Sequence, residues 1–275
     1  GEDAGGEQQG GGIGMWGNHT KEDDIKQNII NLLNNSIPVI MTKKRLRNHE
    51  SLSCGGSHVV KFRSYRDLRN IPKLAEYLPE HDRLKSPKGK RCTGTSPMDC
   101  PKAFKTCAVV GNSGSLLESQ FGADIDEHDA VFRFNAAKTE GYEQFVGYKT
   151  TFRLLNSPDA KVPREGDPQE TTITTLRNYD VREWVRQREK RGPEPPPHGQ
   201  PLMTDPEFLC QSWAWVHNRG EKPSSGLVGI VMALAACEQV DVYGFQSKNY
   251  FSKTSRPHYY DWERPKKGRE KVHPF

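Results

Sequence analysis

The sequence has no apolar stretch long enough to cross a bilayer. Its longest, LVGIVMALAAC at 227–237, falls well short of the ~20 residues a spanning helix needs and reads as a buried helix. Apolar residues are scarce overall, 33% of 275, so part of the chain is read as solvated tail or long loop around one α/β core. The six cysteines make no CxxC pair and no Cys/His set with zinc spacing. That argues against a zinc site and for disulfides. No Gly-Lys-Ser/Thr follows a glycine turn, and no glycine trio is completed by a ribose-binding acid. A P-loop and an NAD-dependent oxidoreductase are therefore poor readings. The net charge of +5 is scattered over KKRLR at 43–47, RQREKR at 186–191 and RPKKGREK at 264–271, with no aromatic platform or recognition helix among them. These are read as solvated faces, and nucleic acid is not an expected partner.

What is present falls into three parts. Residues 1–24 are Gly-rich and acidic, too poor in apolar surface to offset the entropy of ordering, and read as a disordered stem. Residues 25–103 form an N-terminal helical and basic extension, with a helix expected around IKQNIINLLNN, where Ile25, Ile29, Leu32 and Leu33 recur at helical spacing. From 104 onward strands and helices alternate. KTCAVVGN, DAVFRFN, KTTFRLLN and TTITTLRNY read as strands, SLLESQFG as a helical turn or two, VREWVRQREKR as a helix and 191–201 as a Pro-rich loop. In PSSGLVGIVMALAACEQVDVYGF a helix capped by Ser224 or Ser225 packs Leu227, Ile230, Val231 and Leu234 on one face and runs into a strand. This order predicts a doubly wound α/β sheet. Trp213 and Trp215, in alternate positions, read either as a strand packed into the core, the preferred reading, or as sugar-stacking rings.

Open parallel sheets bind ligands beyond the strand C-termini, where helix N-termini present unpaired N–H groups. GNSG at 111–114 and SSG at 224–226 are two such places. Without a P-loop or dinucleotide fingerprint they suit a smaller anion such as a mononucleotide, the plain alternative being tight turns. Asn112 and Asn135 end two expected strands, where their amides suit sugar hydroxyls or a base, or else an Asx turn. Asp124-Ile125-Asp126 is a DxD, read as a capped turn rather than a metal site. The sequons at Asn18 and Asn34 fit a glycoprotein of the secretory pathway.

Residues 107–157, CAVVGNSGSLLESQFGADIDEHDAVFRFNAAKTEGYEQFVGYKTTFRLLNS, resemble the large motif of the eukaryotic sialyltransferases, glycosyltransferase family 29. Residues 223–245 resemble the family's small motif, HYYD at 258–261 its third and VHPF at 272–275 the start of its fourth. The wording SLLESQFGADIDEHDAVFRFN leans toward the β-galactoside α-2,6 subgroup. The resemblance implies a single Rossmann-like domain, a GT-A-like variant with a mostly parallel sheet and helices on both faces. It implies an inverting transferase that moves sialic acid from CMP-sialic acid to a glycan hydroxyl, galactose-terminated by subgroup, with no metal and no cofactor. By match, Asn112, Ser113, Asn135, Ser224, Ser225, Gly226 and Tyr259 hold the CMP-sugar donor, His258 faces its phosphate, and His273 is the general base. A neutral imidazole, with its ordinary pKa near ~6.5, suits a base that takes a proton from an attacking sugar hydroxyl. Cys107 and Cys237 match the cysteines that join the two larger motifs.

The family's setting implies the Golgi lumen and a membrane tie only through an N-terminal anchor outside this chain. In the family the last motif continues to a Glu five positions past its His, so 104–275 reads as a transferase core truncated at its C-terminus. Two alternatives follow: transfer from another CMP-ulosonic acid such as CMP-Kdo, or a non-catalytic nucleotide- or glycan-binding protein. Acceptor choice is expected on the Pro-rich 191–201 loop and on FLCQSWAWVHNRG at 208–220.

Overall fold

The computed structural model describes residues 39–82, 84, 102–158, 170–175, 180–191, 200–215, 222–245 and 256–262. The expected stem (1–24), the IKQNIINLLNN helix, most of the Pro-rich loop, residues 216–220 and His273 lie outside them. At the centre is a six-stranded sheet in which every neighbouring pair is parallel. Its strands are β1 (Phe104–Val110), β2 (Ala130–Phe134), β3 (Phe152–Leu155), β4 (Thr171–Thr174), β5 (Leu202–Met203) and β6 (Cys237–Tyr243). They lie in the order β5-β4-β3-β2-β1-β6. The chain thus works outward from β1 to β5 and then returns to the far side of β1. That reversal makes the gap between β1 and β6 the topological switch point, where such sheets open a crevice at the strand C-termini.

Both faces are covered, as strands with few polar residues require. One face carries Phe132, Phe134, Phe152 and Leu154 and packs on α6 (Asp180–Arg191), α7 (Pro206–Trp215) and α8 (Ser225–Ala236). The N-terminal extension joins the same cluster through α1 (Lys43–Asn48), α2 (Tyr65–Arg69) and α3 (Leu74–Tyr77). Ile40 pairs antiparallel with Thr204, and the Met41 N–H donates to the Met203 carbonyl. On the other face Ala108, Val110 and Val131 meet Leu116 of a 3₁₀ turn (Gly114–Glu118), Ile125 of α4 (Gly122–Asp126), Val146 of α5 (Glu143–Val146) and the ring of Tyr259.

The four expected strands and the helix over 181–191 are where the sequence puts them, and SLLESQFG is split between the 3₁₀ turn and the start of α4. Two readings are corrected. Trp213 and Trp215 lie on a helix, α7, and not on a strand. Asp205 starts it by accepting the Glu207 N–H at 2.9 Å, and Pro206 occupies the first helical position, where its missing N–H costs nothing. Trp215 is buried in the core, while Trp213 lies partly buried, edge-on to His58 with ring centres 4.8 Å apart. The second correction is the packed face of α8. Val228, Gly229, Val231, Met232, Ala233 and Ala236 face inward, whereas Leu227, Ile230 and Leu234 are only partly buried. Apolar all round, the helix carries no periodic signal to choose its face. The choice falls to shape, since a methyl group on Gly229 would come within 2.5 Å of the Phe134 ring, so the small residues must face the sheet.

Candidate functional site

The site is assembled at the switch point by backbone first. Where β1 ends, the Gly111 N–H donates to the Tyr243 carbonyl at 2.7 Å and the Ser113 N–H to the Gly244 carbonyl at 3.2 Å, so the GNSG turn is fastened to the end of β6. Phe245 comes next and lies against the second corner: a methyl group on Gly226 would come within 2.5 Å of its ring. The two glycine corners therefore meet on either side of one residue. Phe245 is 44% exposed despite its T-shaped contact with the Phe134 ring.

Each corner has a serine whose hydroxyl oxygen is already accepting. Ser113 Oγ takes the Ser115 N–H at 3.2 Å and the Ser115 hydroxyl at 2.9 Å. Ser224 is the N-cap of α8, its Oγ accepting the Leu227 N–H at 3.1 Å. Ser225 and Gly226 form the first helical turn, whose N–H groups have no partner within the helix and carry the positive end of its dipole.

The segment 256–261 closes over the GNSG turn. A methyl group on Gly114 would come within 2.3 Å of the Arg256 carbonyl oxygen, and the Tyr259 N–H donates to the Asn112 carbonyl at 2.9 Å. Asn112 Nδ2 donates to the Tyr260 hydroxyl at 3.2 Å, while its buried Oδ1 has no partner among the described residues. His258 stacks on Tyr260 with ring centres 5.3 Å apart and planes nearly parallel, and its Nδ1 meets Asp261 Oδ1 at 3.0 Å. That contact holds the ring in orientation.

Asn135 ends β2 in the left-handed region, φ +49°. Its N–H donates to the Leu154 carbonyl at 2.9 Å and its Oδ1 accepts the Asn156 N–H at 3.0 Å. With the oxygen engaged, the amide NH₂ is the group turned elsewhere.

The fold thus brings Asn112, Ser113, Ser224, Ser225, Gly226 and His258 to one end of the sheet, with Asn135 at the neighbouring strand end. Tyr259 differs from the rest: its ring is fully buried and its hydroxyl donates to the Lys138 carbonyl at 2.6 Å, so it faces the interior and not the crevice. Burial pushes that phenol up to about 12, so it stays a donor. Phe245 belongs to the site without having been singled out by sequence, though it closes the motif at 223–245; Tyr260, within HYYD at 258–261, joins the site through the Asn112 amide.

Of the DxD, Asp126 clamps the turn before β3: its carboxylate accepts the N–H groups of Tyr148 and Lys149 at 2.9–3.0 Å. Both aspartates lie in α4, not in a turn. Cys107 and Cys237 are bonded, Cα to Cα 6.0 Å, which ties β1 to the junction of α8 and β6. A second disulfide, Cys54–Cys210, joins the N-terminal extension to α7. Beside it a groove of about 500 Å³ is lined by Ser53, Gly55, Ser57, Gln211 and Trp213.

A parallel sheet with two glycine corners and a helix N-terminus at its switch point defines a Rossmann-like α/β domain. Residues 40–275 match the profile of glycosyltransferase family 29 (sialyltransferase), and the chain belongs to that family. It is 35% identical over 168 residues to β-galactoside α-2,6-sialyltransferase 2 of Takifugu rubripes, covering 52% of this chain and 31% of that protein. It is 37% identical over 153 residues to CMP-N-acetylneuraminate-β-galactosamide-α-2,3-sialyltransferase 1 of Gallus gallus, covering 51% and 44%. Sialyltransferase-like protein 1 of Arabidopsis thaliana is 36% identical over 177 residues, covering 61% and 32%. The matches thus span less than half the length of these relatives. The fold superposes on the crystal structure of a mammalian sialyltransferase with a TM-score of 0.57, at 26% identity, covering 87% of this chain and 83% of that one. A crystal structure of a mammalian sialyltransferase in complex with Gal-β-1-3GalNAc-ortho-nitrophenol gives a TM-score of 0.56 at 26% identity, covering 84% of each chain.

Proposed function

We propose that the protein transfers sialic acid from CMP-sialic acid to a glycan hydroxyl, with inversion at the anomeric carbon and without a metal or cofactor. The observation that carries this reading is the meeting of the two glycine corners at Phe245 beneath the segment that bears His258. It makes a cleft for one nucleoside monophosphate. The α8 amides of Ser225 and Gly226 suit the phosphate, and the hydroxyl hydrogens of Ser224 and Ser225 remain to donate to it. Asn112 Oδ1 and the Asn135 NH₂ offer an acceptor and a donor to the cytidine, and the exposed part of Phe245 suits an apolar contact with sugar or base.

In the reaction the acceptor hydroxyl attacks the anomeric carbon from the face opposite CMP. The bond to the phosphate oxygen breaks and the hydroxyl proton passes to His273. Negative charge grows on the departing phosphate, where the α8 dipole and His258 stabilise it. A donor with a single phosphate has no diphosphate for a divalent ion to bridge, and the carboxylate of Asp126 is committed to Tyr148 and Lys149. The acceptor is a glycan ending in galactose, in line with the galactoside and galactosamide that name the vertebrate relatives. The protein in the cell is assigned to the Golgi lumen; among the described residues no helix is long and apolar enough to cross a membrane.

The test is CMP release from CMP-sialic acid, and in parallel from CMP-Kdo, with a panel of galactose-terminated acceptors. Acceptor-dependent release from CMP-sialic acid, lost by at least about 100-fold in His273→Ala, is expected for a general base. Unchanged turnover in that variant removes the assignment of the base. Faster release from CMP-Kdo changes the donor, and CMP binding without turnover of either donor leaves the binding-protein reading.

A further inference from the structure

Beneath the crevice the loop 135–138 is held by side chains that do not reach its surface. Arg153, on β3, is 1% exposed, and its Nη1 donates to the Asn135 carbonyl at 3.0 Å and the Ala137 carbonyl at 2.7 Å. Its Nε donates to Glu170 at 2.7 Å, and Glu170 is itself 2% exposed. A buried guanidinium needs a buried carboxylate, and with one its fork is fixed in direction. The next carbonyl along, Lys138, takes the Tyr259 hydroxyl at 2.6 Å. Tyr259 also donates its N–H to the Asn112 carbonyl, so one residue grips both asparagine-bearing loops, one by main chain and one by side chain. The register-paired neighbour Arg133 behaves differently. It donates to the Val146 and Lys149 carbonyls and the Thr150 hydroxyl at the turn before β3.

We infer that Arg153, Glu170 and Tyr259 are positioning residues for the donor: through the carbonyls of residues 135, 137 and 138 they hold Asn135 in its left-handed conformation and set its separation from Asn112. The inference rests on the donor-site reading above. An asparagine with φ above zero is held there by its surroundings, and losing one of the pins lets the amide swing away from the nucleotide. All three side chains are buried, with the Tyr259 hydroxyl spent on the Lys138 carbonyl, so they act on the donor through the loop that carries Asn135.

The experiment is a set of double-mutant cycles read by CMP binding in calorimetry, with melting curves to establish folding. Asn135→Ala is expected to weaken CMP about 10-fold. Tyr259→Phe, which removes one oxygen, and Arg153→Lys, which keeps the charge and loses the fork, are each expected to weaken it about 3- to 10-fold. In steady state the donor KM rises by a similar factor while kcat stays within about twofold. Placed on Asn135→Ala, either substitution should add less than about twofold, because the group it positions is gone. The same loss in both backgrounds, or folded Tyr259→Phe binding CMP like the parent, overturns the inference. Should Arg153→Lys fail to fold, Tyr259→Phe decides alone. If Asn135→Ala itself binds CMP normally, the donor-site reading fails and takes the inference with it.

Discussion

A buried carboxylate shows most plainly how one side chain can serve several elements. Asp205 caps α7, accepts the Tyr65 hydroxyl from α2 and meets Arg45 of α1 at 3.2 Å. Desolvation outweighs these partners and raises it to about 6. The folded form therefore binds a proton more readily than the unfolded one between pH ~4 and ~6. That stabilising contribution is complete below the unfolded value and is lost as pH rises through about 6. Asp205→Asn should remove this downward slope, worth at most about 3 kcal/mol. Urea unfolding at pH 4, 5, 6 and 7 measures it: a difference between parent and variant that does not change with pH refutes the assignment. A sharper effect on ligand is expected at Gly114. Gly114→Ala must push the Arg256 carbonyl away, which displaces His258 and should weaken CMP at least about fivefold with a small loss of melting temperature. Calorimetry on the folded variant checks it.

Among the elements, α8 carries the most consequence, because its first turn faces the crevice and its body fills the core. Ser224→Ala removes the cap and should cost about 1 kcal/mol of stability. It should also weaken CMP more than an exposed serine substitution elsewhere, since the same hydroxyl borders the phosphate position proposed above. Binding and unfolding measured on one sample separate the two effects. Lys102 supports the other end of the helix by donating to the Leu234 and Ala235 carbonyls at 3.2 and 3.4 Å, a cation at the negative end of the dipole.

These elements also show what a sequence can and cannot carry. The strands were legible because KTCAVV, AVFRF and TTIT are short apolar or β-branched runs between turn residues, and α8 because Ser-Ser-Gly precedes a long apolar run. The helix α7 was obscured by the alternation in WAW, although Asp205-Pro206 is a sound helix start that outweighs two residues of periodicity. The face of α8 was not legible at all, being fixed by the fit of Gly229 to Phe134. At the site, the glycines, serines and asparagines could be placed by motif. Tyr259 could be picked out by the same motif, but not the direction its ring takes, which depends on contacts with Lys138 more than a hundred positions away. Arg153 stands out only as a charge within an apolar strand.

At the scale of the molecule, two cystines among the described residues tie distant parts of the chain, 130 and 156 residues apart. Cys54–Cys210 lies away from the glycine corners and binds the extension to α7. Cys54→Ser with Cys210→Ser should cost about 2–5 kcal/mol of stability and leave CMP affinity within about twofold. Calorimetric melting and CMP titration read the two quantities, and a large loss of affinity would mean that the extension shapes the crevice.

The strand order has one more consequence, for synthesis. β1 lies inside the finished sheet, yet its neighbour on one side, β6, leaves the ribosome only after β2 to β5. Until then a nascent chain presents a bare hydrogen-bonding edge with an unmatched thiol at Cys107, ready to be captured by another copy. Quality control must shelter that intermediate through the making of more than a hundred residues, and chains halted before residue 237 should accumulate as cross-linked aggregates.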